Sequence, residues 1–391
     1  AGVNDADLLI ATTGADELNL LCSMTAHGIN PNIHTIARIC NPDYTDQVYK
    51  MQKTFSLSLT VNPEKQAAIE IERLLKFPGF LKRDSFAKGR VEIVELRVDE
   101  RSRLCNVALS EMNRVIKCRV LVCAVLRRGD VVAPDGSFVL REGDRIFVTA
   151  STESLATLLD NLGIITKKVN HVMICGGGRV SYYLAQQLEK DGMTVRLIEK
   201  DSKHCEELAA LLPKTEIIND DASNTFVLKR ENLESCDALV TATGMDELNM
   251  IISLYGTKHG VSQVITKLGH MENGSMIDQL PIGSTIWPKD LCCNGIVRYI
   301  RAMHNQTGAA VSVHSIADGK AEAIEFHVEE KKPYCDKPLK NMKVKQNILV
   351  ACITHGGVTE LPGGDSVIRE GDTVVVVTTR NDIIYKLDDI F

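Results

Sequence analysis

The sequence lacks the features that mark membrane proteins, secreted proteins and nucleic-acid-binding proteins. No apolar run approaches the roughly 18 residues that a membrane-spanning helix needs. Nothing resembles a signal peptide. The formal net charge of -6 argues against an electrostatic nucleic-acid footprint and against binding to bare anionic lipid. We therefore expect any link to a membrane to pass through another protein.

The cysteines lack the spacing of metal or redox sites. The chain has 12 of them, but no CxxC pair and no Cys/His cluster with zinc spacing. Most lie in apolar runs, as Cys118, Cys123, Cys175 and Cys352 do. This pattern favours reduced, buried thiols in a cytosolic protein. The composition, 44% hydrophobic and 25% charged, is that of a soluble globular chain, and 391 residues indicate two to four domains.

The chain is an internal repeat. The segment Asp7–Asn19 recurs as Asp237–Asn249, and Arg141–Asp144 recurs as Arg369–Asp372. The two offsets, 230 and 228 residues, are nearly equal. Two distant matches with nearly one offset indicate a duplicated two-part unit.

The first part of each unit has the pattern of a parallel sheet. In the second copy a short apolar strand, His171–Cys175, precedes a Gly-rich turn and an amphipathic helix with Tyr182, Tyr183, Ala185 and Leu188. A strand at 194–198, a polar helix at 205–212 and a strand at 216–218 follow. Strands that alternate with helices in this way predict a Rossmann-like α/β domain.

The second part of each unit is β-rich. The segments 91–96 and 323–328 alternate roughly between apolar and polar residues. Glu142-Gly143-Asp144 and Glu370-Gly371-Asp372 each separate two strand-like runs, which predicts hairpins there. The fold class is thus α/β, with two tandem units, each a Rossmann-like parallel-sheet domain followed by a small β-rich α+β domain. Because the chain starts at Ala1 with the strand 8–11, we expect the first Rossmann domain to be incomplete and the true N-terminus to be missing.

The predicted domain boundaries follow from this organisation. We expect a partial first Rossmann domain with a crossover helix at residues 1–78, the first C-terminal domain at 79–166, the second Rossmann domain at 167–305 and the second C-terminal domain at 306–391.

A helix bridges the two parts of each unit. Asn62-Pro63 forms a cap and a first-turn proline, and an apolar stripe follows at Ala67, Ala68, Ile71, Leu74 and Leu75. Its counterpart after Pro288 places Cys292, Cys293, Ile296, Tyr299 and Ile300 on one stripe. We expect the two units to pair through these helices. Both Cys292 and Cys293 are then expected to pack within the stripe, a vicinal-thiol redox site being the alternative.

The segment with chemical meaning is Gly176-Gly177-Gly178-Arg179-Val180-Ser181. It fits G-x-G-x-x-G with serine as the last residue, directly after a strand and at the start of a helix. Gly176 permits the tight turn, and Gly178 allows the backbone to approach a pyrophosphate at the helix N-terminus. The alternative is a glycine-rich turn in a Rossmann-like domain that binds nothing.

Two acidic residues, Glu199 and Asp221, follow the Gly-rich segment at the spacings of a nucleotide-binding fold. Glu199 ends the second strand 21 residues past Gly178, where dinucleotide folds place a ribose-binding carboxylate. It favours NAD, ATP or ADP over NADP, although Lys200 adjoins it. Asp221-Ala222-Ser223 follows the third strand at the expected border of the adenine. A solvated charge and a simple turn are the respective alternatives.

The repeated Thr-Gly-x-Asp segments have two interpretations. Thr243-Gly244-Met245-Asp246, like Thr13-Gly14-Ala15-Asp16, resembles a capping box with Asp in place of Glu, and capping alone would explain it. A role near ribose and phosphates would be additional. Lys267 and Arg38 end the next strand of their copies and are candidates to neutralise phosphate.

Catalytic patterns are missing. No GxSxG or GxxxxGK[ST] occurs, and no His, Cys, Lys or Tyr recurs in a recognisable proton-transfer arrangement. A nucleotide site without a catalytic partner favours sensing over catalysis. The alternative is an NAD-dependent oxidoreductase, and a sensor of a cyclic dinucleotide or metabolite through the β-rich domains stays open as an addition.

These segments together resemble the TrkA family of tandem RCK (KTN) proteins over essentially the whole chain. The stretches 73–79 and 333–339 resemble it as well. The resemblance implies a cytoplasmic regulator, peripheral on the inner face of the cell membrane, that binds NAD(H) and possibly ATP/ADP. It implies a tetrameric ring beneath a TrkH/TrkG-type membrane potassium transporter subunit.

Residue by residue, the resemblance places the ligand site at the following positions: Gly176, Gly178, Arg179, Val180, Glu199, Asp221, Ala222, Thr243 and Lys267. Of the first unit's site only Thr13, Gly14 and Arg38 would remain, so we expect that unit not to bind nucleotide on its own.

Overall fold

The computed structural model describes residues 2–76, 79–87, 90–100, 102–162, 168–269, 277, 280–303, 310–317, 319–379 and 383–391. Among these residues, no helix is both long enough and apolar enough to cross a bilayer. The predicted boundaries at 78, 166/167 and 305/306 lie outside the described residues.

The first unit begins with a parallel sheet of order β1-β2-β3. Its strands are β1 (Leu8–Ala11), β2 (His34–Arg38) and β3 (Leu59–Val61), and its helices are α1 (Asp16–Ile29) and α2 (Pro42–Lys50). The crossover helix α3 (Pro63–Lys76) follows, and the Asn62 carboxamide oxygen accepts from the Lys65 N–H at 2.8 Å, as the cap prediction requires.

The first C-terminal domain is an antiparallel sheet of order β4-β5-β8-β6-β7. Its elements are β4 (Lys82–Phe86), β5 (Val91–Arg97), α4 (Leu109–Ile116), β6 (Leu121–Arg127), β7 (Asp130–Val132), β8 (Arg145–Ala150) and α5 (Thr152–Leu162).

The second unit contains a six-stranded parallel sheet of order β11-β10-β9-β12-β13-β14. Its elements are β9 (His171–Cys175), α6 (Arg179–Lys190), β10 (Thr194–Glu199), α7 (Ser202–Leu211), β11 (Glu216–Asn219), α8 (Thr225–Arg230), β12 (Ala238–Thr241), α9 (Asp246–Lys258), β13 (Gln263–Lys267), β14 (Ser284–Ile286) and α10 (Pro288–Met303). This is the doubly wound dinucleotide-binding order, which reverses between β9 and β12 and opens a crevice at their carboxyl ends. The first sheet, β1-β2-β3, matches β12-β13-β14 in strand order.

The second C-terminal domain repeats the topology of the first. Its strands β15 (Ala310–Ile316), β16 (Ala321–His327), β17 (Ile348–His355), β18 (Val358–Glu360) and β19 (Thr373–Thr378) have the order β15-β16-β19-β17-β18. The tandem α/β architecture predicted from the sequence is therefore confirmed. The two C-terminal sheets also pack on each other, since Ile93 and Phe147 of the first share an apolar cluster with Ala323, Ala351 and Val375 of the second.

The crossover helices are exchanged between units. Ala67, Ile71 and Leu75 of α3 are fully buried against Leu184 and Leu188 of α6. In return, Cys292 of α10 packs in one cluster with Ile36 and Val61 of the first sheet. The Tyr299 hydroxyl lies 2.6 Å from Nδ1 of His34. The predicted pairing of the units through these helices is confirmed.

Two predictions about these elements were wrong. Cys293 does not pack in the stripe: it is exposed, whereas its neighbour Cys292 is buried. The hairpins do not lie at the Glu-Gly-Asp turns, because β8 and β19 pair with strands distant in sequence. They lie at Arg128-Gly129 and Gly356-Gly357, where both residues have the positive φ that two-residue hairpin turns favour.

Candidate functional site

A cavity of about 1010 Å³ opens at the carboxyl ends of the second parallel sheet. All nine residues that the sequence assigned to a ligand site line it: Gly176, Gly178, Arg179, Val180, Glu199, Asp221, Ala222, Thr243 and Lys267. The topology explains this convergence, because the loops after β9, β10, β11, β12 and β13 all meet at one edge of the sheet.

The three glycines of the loop have different physical roles. Gly176 has φ +98°, and a Cβ there would lie 2.8 Å from the Thr243 Cα. A Cβ on Gly177 would lie 2.7 Å from the Leu208 Cδ1. A Cβ on Gly178 would meet no described atom within 4 Å. Gly176 is therefore needed by the fold, a side chain at position 177 would displace Leu208, and the bare backbone of Gly178 faces the cavity.

Helix α6 presents a free N-terminus to this cavity. Gly178 is its N-cap and supplies no side-chain hydrogen bond, whereas the next helix, α7, is capped by the Asp201 carboxylate. The first N–H groups of a helix lack intrahelical partners and attract anions. Arg179 is exposed beside them, and Val180 is buried in the wall. Ser181 is fully buried where the motif expects its third glycine, so the small side chain is accommodated.

Glu199 is tied to the loop by its carboxylate. Oε2 accepts from the Gly177 N–H at 2.7 Å, and Oε1 accepts from the Asp201 N–H at 2.9 Å. A carboxylate offers about four lone-pair sites, so two remain for ribose hydroxyls. Glu199 thus connects the Gly-rich loop to the end of β10 and still faces the cavity.

His204 is a cavity residue that the sequence reasoning missed. Its Nε2 lies 2.9 Å from the Gly177 carbonyl oxygen, so Gly177 is held through its N–H by Glu199 and through its C=O by His204. Partial burial lowers the pKa of His204, but the Gly177 carbonyl and the Glu207 carboxylate outweigh it, and the net pKa is raised. The available signal in the sequence was a histidine three residues after Asp201, close behind the strand end at Glu199.

Asp221 both forms a turn and lines the cavity. Its carboxylate accepts from the Ser223 N–H at 2.8 Å, and this bond is the main cause of its lowered pKa. Ala222 is nearly buried next to it. The turn interpretation is therefore confirmed, Asp221 also lines the cavity, and a position beside adenine stays a prediction.

Thr243 is held by a side-chain bracket, not by a capping box. Its N–H and hydroxyl both donate to Asn249 Oδ1, at 2.9 and 2.7 Å, and Asn249 Nδ2 donates to the Lys267 carbonyl at 2.9 Å. The N-cap of α9 is Met245, without a side-chain cap bond, and Asp246 instead accepts from the Gly269 N–H. The capping-box prediction was wrong because Asn249 and Asp246 both bond to groups at the end of β13.

Lys267 completes the bracket. Its ammonium donates to the Thr243 carbonyl at 3.0 Å, which places the charge at the cavity wall. The first unit repeats this arrangement with Thr13, Asn19 and Arg38: the Asn19 side chain bonds to Thr13 and to the Arg38 carbonyl, and the Arg38 guanidinium donates to the Thr13 carbonyl at 3.1 Å.

Arg38 nevertheless belongs to the second unit's cavity. The sequence assigned it to the remnant of the first site, but it lines this cavity together with Pro63 and Glu64 of the first unit. Among the described residues, Arg38 Nε and Glu64 Oε2 are buried without a hydrogen-bond partner. This wall was not foreseen, because the exchange of crossover helices brings residues together that are far apart in sequence.

The described residues contain no group of three or more His, Cys, Asp or Glu side chains arranged to hold a metal ion.

Two family models match most of the chain. The TrkA-N domain model matches residues 1–57 and 172–288, and the TrkA-C domain model matches residues 93–163 and 323–390. The alternation of the two models follows the two structural units described above.

Relatives and solved structures agree with these matches. The chain is 29% identical over 381 residues to Trk system potassium uptake protein TrkA homolog 1 of Methanosarcina mazei, covering 96% of this chain and 84% of that protein. The crystal structure of the GsuK RCK domain matches with a TM-score of 0.59 at 14% identity, over 96% of this chain and 78% of that chain. The GsuK channel bound to NAD matches with a TM-score of 0.57 at 15% identity, over 96% and 65% of the two chains. The structural matches show a shared fold.

Proposed function

This chain belongs to the TrkA family, and on that premise we propose that it is a nucleotide-sensing regulatory subunit of a potassium uptake system. It works in the cytoplasm, at the inner face of the cell membrane, on a TrkH/TrkG-type transporter subunit. It binds NAD(H) or ADP/ATP in the cavity after β9 without turning the nucleotide over. Its relatives carry potassium uptake in their names, and a GsuK channel of the same fold was solved with NAD.

The observation that carries this proposal is the exposed backbone of Gly178 at the N-terminus of α6. The backbone there has open space for a phosphate, and the helix N-terminus has no side-chain cap. Arg179 and Lys267 also line this cavity and supply positive charge to it. A pyrophosphate placed there would receive backbone N–H bonds, the helix dipole and two cations.

The ligand class follows from what the rest of the cavity offers. NAD(H) and ADP/ATP share an adenosine diphosphate, whose ribose would meet Glu199 and whose adenine would lie near Asp221 and Ala222. A carboxylate at the ribose position accepts hydroxyl bonds and repels a 2′-phosphate. This part of the cavity therefore supports the shared adenosine diphosphate and does not choose between the two kinds of nucleotide.

The absence of turnover is a separate part of the proposal. Two cavity groups suited to proton transfer are held by backbone bonds: His204 Nε2 by the Gly177 carbonyl and the Lys267 ammonium by the Thr243 carbonyl. An NAD-dependent oxidoreductase would also need a substrate domain in place of the β-rich one. NADH oxidation by the purified protein with candidate carbonyl substrates would identify an enzyme, and we expect none.

The first unit gives nucleotide binding a mechanical consequence. Arg38 and Glu64 of that unit line the same cavity as the Gly-rich loop of the second unit. A ligand shifts a conformational equilibrium by its differential affinity for the two states. A nucleotide that contacts the residues of both units would favour one angle between the units. In a ring of such chains, a change in that angle would move the parts of the ring that contact the pore.

Ring assembly has a candidate surface on the Rossmann helices. Leu18, Leu21 and Met24 of α1 are exposed, as is Ile251 of α9, which the repeat places at the position of Leu21. Apolar side chains at equivalent exposed positions of both units suit contacts between chains. We expect a tetramer, and Leu18→Asp with Leu21→Asp should reduce its mass in light scattering; Ile251 is left in place because it also lines the nucleotide cavity.

The decisive experiment is potassium flux through the reconstituted transporter with this subunit, with and without nucleotide. Gly178→Asp places a carboxylate where the pyrophosphate must approach. It should abolish both nucleotide binding, measured by calorimetry, and the response of flux. Gly14→Asp is the matched control, since its Cβ also meets no described atom within 4 Å and lies outside the cavity.

Two outcomes would contradict the proposal. One is a Gly178→Asp subunit whose flux responds to nucleotide as the unmodified subunit does. The other is a calorimetric stoichiometry of two equivalent sites per chain, because the described first unit supplies walls to one cavity and has no Gly-rich loop of its own.

A further inference from the structure

A second cavity, of about 320 Å³, lies at the junction of the second Rossmann domain with both C-terminal domains. Strand β14 and the start of α10 form one side of it. The other sides come from the first C-terminal domain, through Arg97 and Arg145, and from Ser315 of the second. Its volume is at the lower end of small-molecule sites, enough for a ligand with one ring.

Two arginines stand side by side on one wall. Arg97 of β5 and Arg145 of β8 are directly opposed across the antiparallel pair. Like charges in that position repel, and an anion beside them relieves the repulsion. Arg145 is paired with the buried carboxylate of Glu95. Arg97 is exposed and forms no ion pair with any described residue.

The second unit does not repeat this arginine pair. The corresponding strands β16 and β19 oppose His327 and Thr373 at that position. The pair is thus a special feature of the first C-terminal domain at the place where it borders the cavity, and not a requirement of the sheet.

Apolar side chains line another part of the cavity. Ile282 and Ile286 are nearly buried, and Trp287 lies beside them facing the same cavity. An indole offers a planar face on which an aromatic ring stacks. The carboxylates of Glu70, Glu95 and Asp290 also line this cavity. An aromatic anion would meet the Trp287 indole and the exposed Arg97 guanidinium there.

The two cavities share their dividing wall. Trp287 lines the second cavity, while the adjoining Pro288 and Lys289 line the nucleotide cavity. On α3, likewise, Glu64 lines the nucleotide cavity and Glu70 lines the second one. Both crossover helices therefore begin at one cavity and continue along the other.

We propose that the second cavity is an effector site for a small organic anion with one aromatic ring, its carboxylate or phosphate bound by Arg97 and its ring stacked on Trp287. The site stands on its own residues and does not depend on whether the first cavity binds nucleotide. Its place along α3 and α10 makes it a site from which a metabolite acts on the angle between the units.

Trp287 reports on this site directly, because it is the one tryptophan of the chain. Benzoate and phenyl phosphate serve as probes, with benzamide as the neutral counterpart. Both anions should change the tryptophan emission saturably in the full-length protein, and benzamide should bind at least about tenfold more weakly, a difference of about 1.4 kcal/mol.

Variants at two arginines test whether the anions bind in this cavity. Arg97→Ala should weaken both anions about tenfold or more. Arg114→Ala, which removes an exposed arginine of the same domain away from the cavity, should leave binding unchanged. The titration is repeated in Gly178→Asp, where loss of nucleotide binding should leave the benzoate affinity intact. Absence of a saturable change with either anion, or equal affinities in Arg97→Ala and the unmodified protein, would overturn the proposal.

Discussion

The hydroxyl of Tyr183 donates a hydrogen bond to the carbonyl oxygen of Cys40 at 3.1 Å, although the two residues belong to different units. Tyr183 is buried on α6, whose N-terminus is the Gly-rich loop, and burial raises the pKa of its phenol. The Cys40 N–H is in turn held by the Asp16 carboxylate at 2.8 Å. The helix that starts at the nucleotide cavity is therefore bonded to the strand end of the other unit.

Tyr183→Phe should weaken the union of the two units without touching the cavity. It leaves the buried Cys40 carbonyl and the Asn62 amide without their partner, which should lower the free energy of unfolding by about 1–3 kcal/mol. Nucleotide affinity in calorimetry should stay unchanged, while nucleotide-dependent protection of residues 34–40 in hydrogen exchange should fall. Tyr182→Phe is the control, since its hydroxyl has only a 3.5 Å contact with Gln186. Equal protection in both variants would show that Tyr183 transmits nothing.

Gly176→Ala should lower the stability of the fold, whereas Gly178→Ala should weaken nucleotide binding. Gly176 combines φ +98° with a Cβ position 2.8 Å from the Thr243 backbone, so alanine there should cost more than about 1 kcal/mol of unfolding free energy. Gly178→Ala should stay within about 0.5 kcal/mol of the unmodified protein in urea denaturation. It should nevertheless weaken nucleotide binding in calorimetry, because its Cβ occupies the phosphate approach. If Gly178→Ala binds nucleotide normally, the phosphate does not lie at this loop.

Glu199→Gln tests the ribose contact while keeping an oxygen for one of the two backbone N–H bonds. We expect nucleotide affinity to fall by roughly 1.5–3 kcal/mol, the range for a hydrogen bond to a charged group. Glu199→Ala should lose more, because it also releases the Gly177 and Asp201 N–H groups. Glu206→Gln on the exposed face of α7 is the calorimetric control. If Glu199→Gln binds nucleotide with unchanged affinity, the Glu199 carboxylate does not contact the ribose.

His204 should make the stability of the loop depend on pH. Its folded-state pKa is raised above 6.5, so its contribution is fully present below the unfolded pKa and is lost as pH rises through the folded value. The difference in urea midpoint between the unmodified protein and His204→Gln should therefore be larger at about pH 5.5 than at about pH 8.5. A difference that grows with pH would contradict the assigned sign.

Much of the fold was predictable because a duplication doubles each signal. The paired Thr-Gly-x-Asp-Glu-x-Asn segments located equivalent strands, and the apolar stripe of α3 foretold a buried crossover helix. All nine predicted site residues line one cavity, since a parallel sheet brings its strand ends together. Whether they bind nucleotide stays a prediction.

Three of the failures share one physical cause, which is the choice of a partner far away in the sequence. Asp246 looked like a capping residue, yet it bonds to Gly269 beyond the next strand. The Glu-Gly-Asp turns looked like hairpins, yet their flanking strands pair elsewhere. Arg38 looked like a remnant of the first site, yet the exchanged helices bring it to the second unit's cavity. A local sequence pattern predicts whether a segment is a helix or a strand more reliably than it predicts which other segments that element contacts.

The exchange of crossover helices also dictates an order of events during synthesis. The apolar stripe of α3 ends at Leu75, but Leu184 and Leu188, which cover it, are made more than about 100 residues later, several seconds to some 20 seconds on the ribosome. During that interval the nascent first unit carries an uncovered row of alanine, isoleucine and leucine side chains. Such a surface can bind chaperones or the same surface of a second nascent chain. Slowed translation between the two units lengthens this exposure and should therefore lower the soluble yield of this protein.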